Sequence, residues 1–151
     1  MVRKHTGFSL IEMMITIVIL AILASVGVAF TSAWIQKARV HETRTKLIQS
    51  FGMAVAIAQR NSTGASLSDA AAGLKLSGQN LIVCSGNPAS CTSGSSAQQW
   101  KATLPNNTSV SIGGASSGSD QTLSLDNTGA ALSSAGYVIK NGSVSEKGTL
   151  Q

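Results

Sequence analysis

The feature that most limits what this chain can become is an uncharged run from Met13 to Phe30, MMITIVILAILASVGVAF. Its 18 residues reach across most of a bilayer core as a helix, which takes about 20 predominantly apolar residues to span. On the N-terminal side only Glu12 and Ser9 interrupt the apolar character. A cleaved secretory signal is the rival reading, but its apolar part runs to about 7 to 15 residues and ends in small residues at a cleavage site. Here the run is longer and passes without a break into helical sequence, which favours retention. Arg3 and Lys4 precede the run while Lys37, Arg39, Arg44 and Lys46 follow it, so a count of positive charges leaves the orientation open.

The 151 residues leave room for one globular core. From Thr31 to Arg60 a helical period continues, with Trp34, Ala38, His41, Thr45, Ile48, Phe51, Val55 and Ala58 recurring at intervals of three or four. The later part of that stripe, joined by Leu47, is apolar enough to cover a sheet. Glu42 stands three residues after Arg39 and four before Lys46, a spacing that allows intrahelical ion pairs. Unbroken from Phe8 to Arg60, such a helix is roughly 80 Å long, more than a domain of this size can bury.

Past Asn61 the character changes. Ser68 to Gly73 predicts one short capped turn. Short β-prone runs follow at Asn80–Cys84, Trp100–Leu104, Ser109–Ile112 and Thr122–Leu125, separated by Gly, Ser and Asn clusters. Tyr137–Lys140, the pair Asn141-Gly142 and Ser143–Glu146 predict a hairpin with Asn-Gly at its turn. The fold class expected is α+β, a long N-terminal helix packed on a C-terminal antiparallel sheet domain.

Little in this second half supports catalysis. No histidine follows His41, so a Ser-His-Asp or Cys-His arrangement has no base to use there. Asp120 and Asp126 are explained by a Ser/Gly loop and a turn, and Gly113-Gly114 lacks the lysine and helix start of a phosphate loop. No catalytic residue, metal or cofactor is expected. Cys84 and Cys91 flank a Gly/Ser/Asn/Pro loop: outside the cytoplasm a disulfide is the natural reading, and in a reducing cytosol they stay free thiols. With His5 and His41 far away in sequence, a zinc site is the weakest option.

Glu12 is the charge out of place. A carboxylate costs about 2.5 to 3.5 kcal/mol at mid-membrane on insertion scales, so it has a partner, a purpose, or a position at the headgroup boundary.

The residues Lys4-His5-Thr6-Gly7-Phe8-Ser9-Leu10-Ile11-Glu12 resemble the class III leader junction of type IV pilins and type II secretion pseudopilins. The shared pattern is a short basic leader, glycine, phenylalanine, and a glutamate four residues further on, ahead of an apolar helix. That resemblance implies a leader over 1–7, a transmembrane and assembly helix over 8–30, an amphipathic helix over 31–60 and a periplasmic β-rich domain over 61–151. It implies that a prepilin peptidase cuts between Gly7 and Phe8 and methylates the new amine. Glu12 then carries the assembly contact, pairing with another subunit's amine and giving the helix a registry. Loss of Arg3 and Lys4 leaves nine basic residues against six acidic, a net +3 that is too mild to argue for nucleic acid by itself.

The expected partners are other pilin or pseudopilin subunits, the prepilin peptidase and an inner-membrane assembly platform. The expected location is the bacterial inner membrane, single-pass with the C-terminal domain in the periplasm, and then a filament. Leu47 to Asn61, Ile82-Val83-Cys84 and Trp100 are similar in order to the FimT/GspH group of minor pilins. Major pilins generally carry their disulfide near the C-terminus, and a proline and a glycine at sites aligning with Ala29 and Ala21; here only Gly27 softens the helix. Some relatives of that group bind DNA through a Gly-Arg-x-Arg motif near the C-terminus. The tail here has no arginine, and Lys140 and Lys147 are what remains for DNA as an alternative partner.

Overall fold

The structure is a computed structural model that describes residues 7–116 and 118–151, with the side chains of 26–30 outside the description. The leader residues 1–6 therefore lie outside the described residues. The order of elements is one helix, α1 (Leu10–Arg60), followed by β1 (Ala72–Ser77), β2 (Asn80–Ser85), a 3-10 turn (Pro88–Ser90), β3 (Gln98–Thr103), β4 (Ser109–Ile112), β5 (Gln121–Leu125), β6 (Gly136–Asn141) and β7 (Val144–Thr149). The chain divides into two compact units, Met1–Ile35 and Gln36–Gln151. The α+β class holds: a long N-terminal helix and an antiparallel sheet domain.

Within the second unit, two antiparallel sheets cover the later part of α1. One has the order β3-β2-β1-β5 and the other β4-β6-β7. Leu47, Phe51, Ala54 and Ala58 of the helix share one core with Leu74, Leu81, Val83, Leu123 and Leu125 of the first sheet and Val110, Ile112, Tyr137 and Ile139 of the second. Strand β2 is buried on both faces, which explains its continuous Leu-Ile-Val-Cys run. Leu81 and Val83 join the helix side, while Ile82 and Cys84 join Cys91 in a second small cluster. Cys84 and Cys91 form a disulfide. Lys75 donates to the carbonyls of Ala89 (3.3 Å) and Cys91 (3.1 Å), tying the disulfide loop to β1.

Three local expectations are corrected. The buried stripe of α1 is Val40, Thr43, Leu47, Ser50, Phe51, Ala54 and Ala58. Of the stripe counted from the sequence only Phe51, Val55 and Ala58 are covered, while Trp34 and Ile48 are 65% and 47% exposed. Thr43 and Ser50 take the buried places because each hydroxyl donates to a carbonyl one turn back, Arg39 at 2.8 Å and Leu47 at 2.7 Å, leaving no bare donor in the core.

Secondly, Ala72-Gly73 is not the end of a turn but the start of β1, a central strand. A Cβ at Gly73 would stand 2.5 Å from the Leu123 carbonyl oxygen and 2.6 Å from Pro88 Cγ, so the close approach of β5 and the 3-10 turn needs glycine there. Thirdly, the last hairpin turns one residue later than Asn-Gly suggests. Asn141 pairs with Val144, so the loop is Gly142-Ser143, with Gly142 at φ +57. Glycine first, with the positive φ confined to it, is the pattern of a type II′ turn. Asn141 is thereby buried within β6, where its amide donates to Thr108 Oγ1 at 3.1 Å.

The seam between the sheets falls at β4 and β5, and one side chain closes it. Gln121, 3% exposed, accepts from the Ile112 N–H at 2.6 Å and donates to the carbonyls of Val110 (3.0 Å) and Ser116 (3.2 Å). A carboxamide thus does for the edge of β4 what a neighbouring strand would do. The outermost strands β3 and β7 carry exposed lysines at their middles, Lys101 and Lys147.

Candidate functional site

The functional candidate at the N-terminus is built from the first turns of α1. Phe8 is 84% exposed and Gly7 has open space around it, so the Gly7-Phe8 bond lies in an uncovered stretch just ahead of the helix. The helix starts at Leu10, and the Glu12 carboxylate folds back to accept the Ser9 N–H at 3.0 Å. Ser9 followed by Glu12 is the spacing of a capping box, in which a carboxylate satisfies a backbone donor that the helix cannot. The carboxylate, the Ser9 N–H and the Phe8 amine that cleavage would release are therefore confined to one helix end.

From Leu10 to Leu23 every large apolar side chain is more than half exposed, between Ile19 at 51% and Leu10 at 79%. They surround the helix rather than form one stripe. A helix apolar on all sides needs an apolar medium or other helices around it. The two hydroxyls along it are already satisfied internally, Thr16 by the Met13 carbonyl at 2.9 Å and Ser25 by the Ile22 carbonyl at 2.7 Å. Neither adds a bare donor to hydrocarbon. Among the described residues no helix is long and apolar enough to cross a membrane. The described part of the apolar run ends at Ser25, so a span over 8–30 rests on the sequence.

The C-terminal candidates sit in the second sheet. Lys140 is opposite Ser145 and Lys147 opposite Val138, so both lysines share the outer face with Ser109 and Ser111. Two depressions of about 240 and 360 Å³ meet there at Ser111 and Val138, one lined by Lys140 and the other by Lys147. Glu146 alternates to the opposite face and binds Arg44 of α1 at 3.1 Å. Arg44 also donates to the Tyr137 hydroxyl at 3.3 Å. The Tyr137 hydroxyl first, and Glu146 second, raise the Arg44 pKa above its ordinary value. Reading the tail as a string places Glu146 beside the lysines; strand alternation separates it from them.

Asp120 and Asp126 do not form a pair. Asp120 accepts from Ser77 Oγ at 2.7 Å and lies 3.5 Å from Lys75, and the Ser77 hydroxyl holds its carboxyl below the usual range. Asp126 caps its own turn, taking the Thr128 hydroxyl at 2.6 Å and the N–H groups of Thr128 and Ala130 at 2.8 and 3.0 Å. Its carboxyl is also lowered, with the Thr128 hydroxyl the largest cause. Among the described residues no group of three or more His, Cys, Asp or Glu side chains is placed to hold a metal ion.

The first turns of α1 thus combine an exposed apolar surface with a carboxylate at the head of the helix. The family model of the prokaryotic N-terminal methylation motif matches residues 2–28 and places the chain in the type IV pilin and pseudopilin group. The motif implies a prepilin peptidase acting on the N-terminus, anchoring in the inner membrane and assembly with other pilin subunits. No curated protein and no solved structure matches the chain.

Proposed function

We propose that the chain is a structural subunit, a minor pilin or pseudopilin of a type IV pilus or a type II secretion pseudopilus, and not an enzyme. A prepilin peptidase cuts between Gly7 and Phe8 and methylates the Phe8 amine. Residues 8–30 hold the protein single-pass in the inner membrane, 31–60 extend the helix, and 61–151 form the periplasmic domain. The observation that carries this reading is the all-round exposure of Leu10 to Leu23 with Glu12 at the head of the helix. In a helix bundle the carboxylate and another subunit's Phe8 amine neutralise each other, and any axial slip leaves both charges unpaired in apolar surroundings. The similarity of 47–61, 82–84 and Trp100 to the FimT/GspH group supports a minor subunit. Glu12→Ala is expected to leave leader removal intact while lowering incorporation into sheared filaments; normal incorporation refutes the role given to Glu12.

A second reading, DNA capture, is favoured by one observation: the face holding Lys140 and Lys147 has lost Glu146 to Arg44. The purified unit Gln36–Gln151 would then retard duplex DNA at low salt. Replacing both lysines with alanine would flatten the salt dependence by about two phosphate contacts. No retardation at low salt removes this reading.

A further inference from the structure

Trp34 belongs to the first unit and lies beyond the apolar run, yet it is 65% exposed. A single exposed aromatic is common on a protein surface, so what distinguishes this ring is its depth along the helix. Leu10 to Phe30 is 21 residues, about 31 Å of helix against a hydrocarbon core of about 30 Å. Trp34 stands four residues further on, roughly 6 Å past the end of that run, and it comes level with the headgroup boundary when a core of about 30 Å covers residues 13–33. Indole is suited to that layer, where its ring packs against acyl chains and its N–H meets water and esters. The nearby sequence mixes both characters, as a boundary layer requires: Ala33 and Ile35, the latter 38% exposed, adjoin the ring, with Thr31, Ser32, Gln36 and Lys37 around them.

We propose that Trp34 is the interfacial anchor of the subunit, docked at the headgroup boundary of the outer leaflet of the inner membrane, with phospholipid as its partner. The proposal rests on the reading of 8–30 as a membrane span and adds a depth to it. Glu12 and Trp34 are 22 residues apart on the same helix, about 33 Å, which is close to the thickness of the hydrocarbon core. A tryptophan fixed at one interface places the carboxylate at the other. In the unassembled subunit Glu12 then rests at the cytoplasmic headgroup level, where its charge is solvated, and enters apolar surroundings only when the helix leaves the bilayer for a bundle.

The test uses the full chain carrying Trp100→Phe, so that Trp34 is the sole tryptophan. It is reconstituted into phosphatidylcholine vesicles containing phosphatidylglycerol, at low protein-to-lipid ratio, and recovered by flotation. The expected result is emission blue-shifted from that of tryptophan in water. Quenching should be about twofold stronger by lipids brominated near the headgroup end of the acyl chain than by lipids brominated near its methyl end. Water-like emission without quenching, in protein that floats with the vesicles, overturns the anchor and leaves the span intact. Stronger quenching from the methyl end overturns it too, because the ring is then buried deeper. Shielding that grows with the protein-to-lipid ratio assigns the ring to a second copy instead. Protein that does not float at all overturns the span, and the anchor with it.

Discussion

Gln121 offers the sharpest test of how the sheet domain is held together, because one carboxamide closes the seam between two sheets. Its removal deprives the Ile112 N–H and the Val110 carbonyl, both on residues less than 5% exposed, of their partner. Ser116 is exposed, so its carbonyl can turn to water. Each buried group left bare costs about 1 to 3 kcal/mol, and the apolar side chain of Gln121→Leu recovers a part of that, for a net loss of about 2 to 4 kcal/mol. In urea, with a dependence of about 1 to 1.5 kcal/mol per molar for a unit of this size, the midpoint falls by about 1.3 to 4 M. Unfolding of the Gln36–Gln151 unit, followed through Trp100 emission, reads this directly.

Gln121→Glu adds a sign. Ionised, the new carboxylate still accepts from Ile112 but opposes the two carbonyl oxygens that the amide had served. Protonated, it donates to one of them again. Burial and those carbonyls raise its folded pKa above an unfolded value near 4.3. Its stabilising contribution is therefore complete below that unfolded value and is lost as pH rises through the folded one. The gap between this variant and the unaltered protein, compared at each pH, should be narrow near pH 4 and wide at pH 7. A midpoint shift under about 0.5 M for Gln121→Leu, or a gap for Gln121→Glu that ignores pH, refutes the idea that the amide replaces a strand.

Two further outcomes follow from the same domain. Replacing Cys84 and Cys91 together with alanine should cost about 2.5 kcal/mol, the scale set by loop closure for so short a ring, and should open Ser85 to Ala97 to proteolysis while leaving the helix-side core protected against hydrogen exchange. Asp126→Ala should destabilise the 126–130 turn at neutral pH. Because the folded pKa of Asp126 is depressed, its contribution is present above the unfolded value near 3.9 and lost as pH falls through the folded one, so wild type and variant should converge under acid denaturation.

The sequence carries most of this architecture wherever residue type and local structure agree. Leu-Ile-Val-Cys, Ser-Val-Ser-Ile and Thr-Leu-Ser-Leu read as strands and are strands. It misleads where tertiary contact decides. Ala72-Gly73 has poor strand propensity, yet neighbours on both sides need the missing Cβ; only the Leu-Lys-Leu alternation after it and the glycine at 78 hint at β1. The phase of the buried helix stripe was hidden because Thr43 and Ser50 enter the core with their hydroxyls turned back on the helix. Asn141-Gly142 promised a turn that begins one residue later, since Asn141 has a buried partner in Thr108. Gln121 gave no signal, because a polar residue that replaces a strand looks like any other loop-edge glutamine. At the N-terminus the order is reversed: Gly7, Phe8 and Glu12 are clear as a motif, and the structure adds the Ser9 contact.

The lysines at the middles of β3 and β7 bear on life at high local concentration. Open strand edges are templates for joining one sheet to the next, a hazard that grows with the local concentration of a domain. Lys101 and Lys147 put like charges on both open borders of the domain, so two copies that meet edge to edge repel before their backbones can pair. Copies are thereby steered away from fusing their sheets into an amyloid-like ladder.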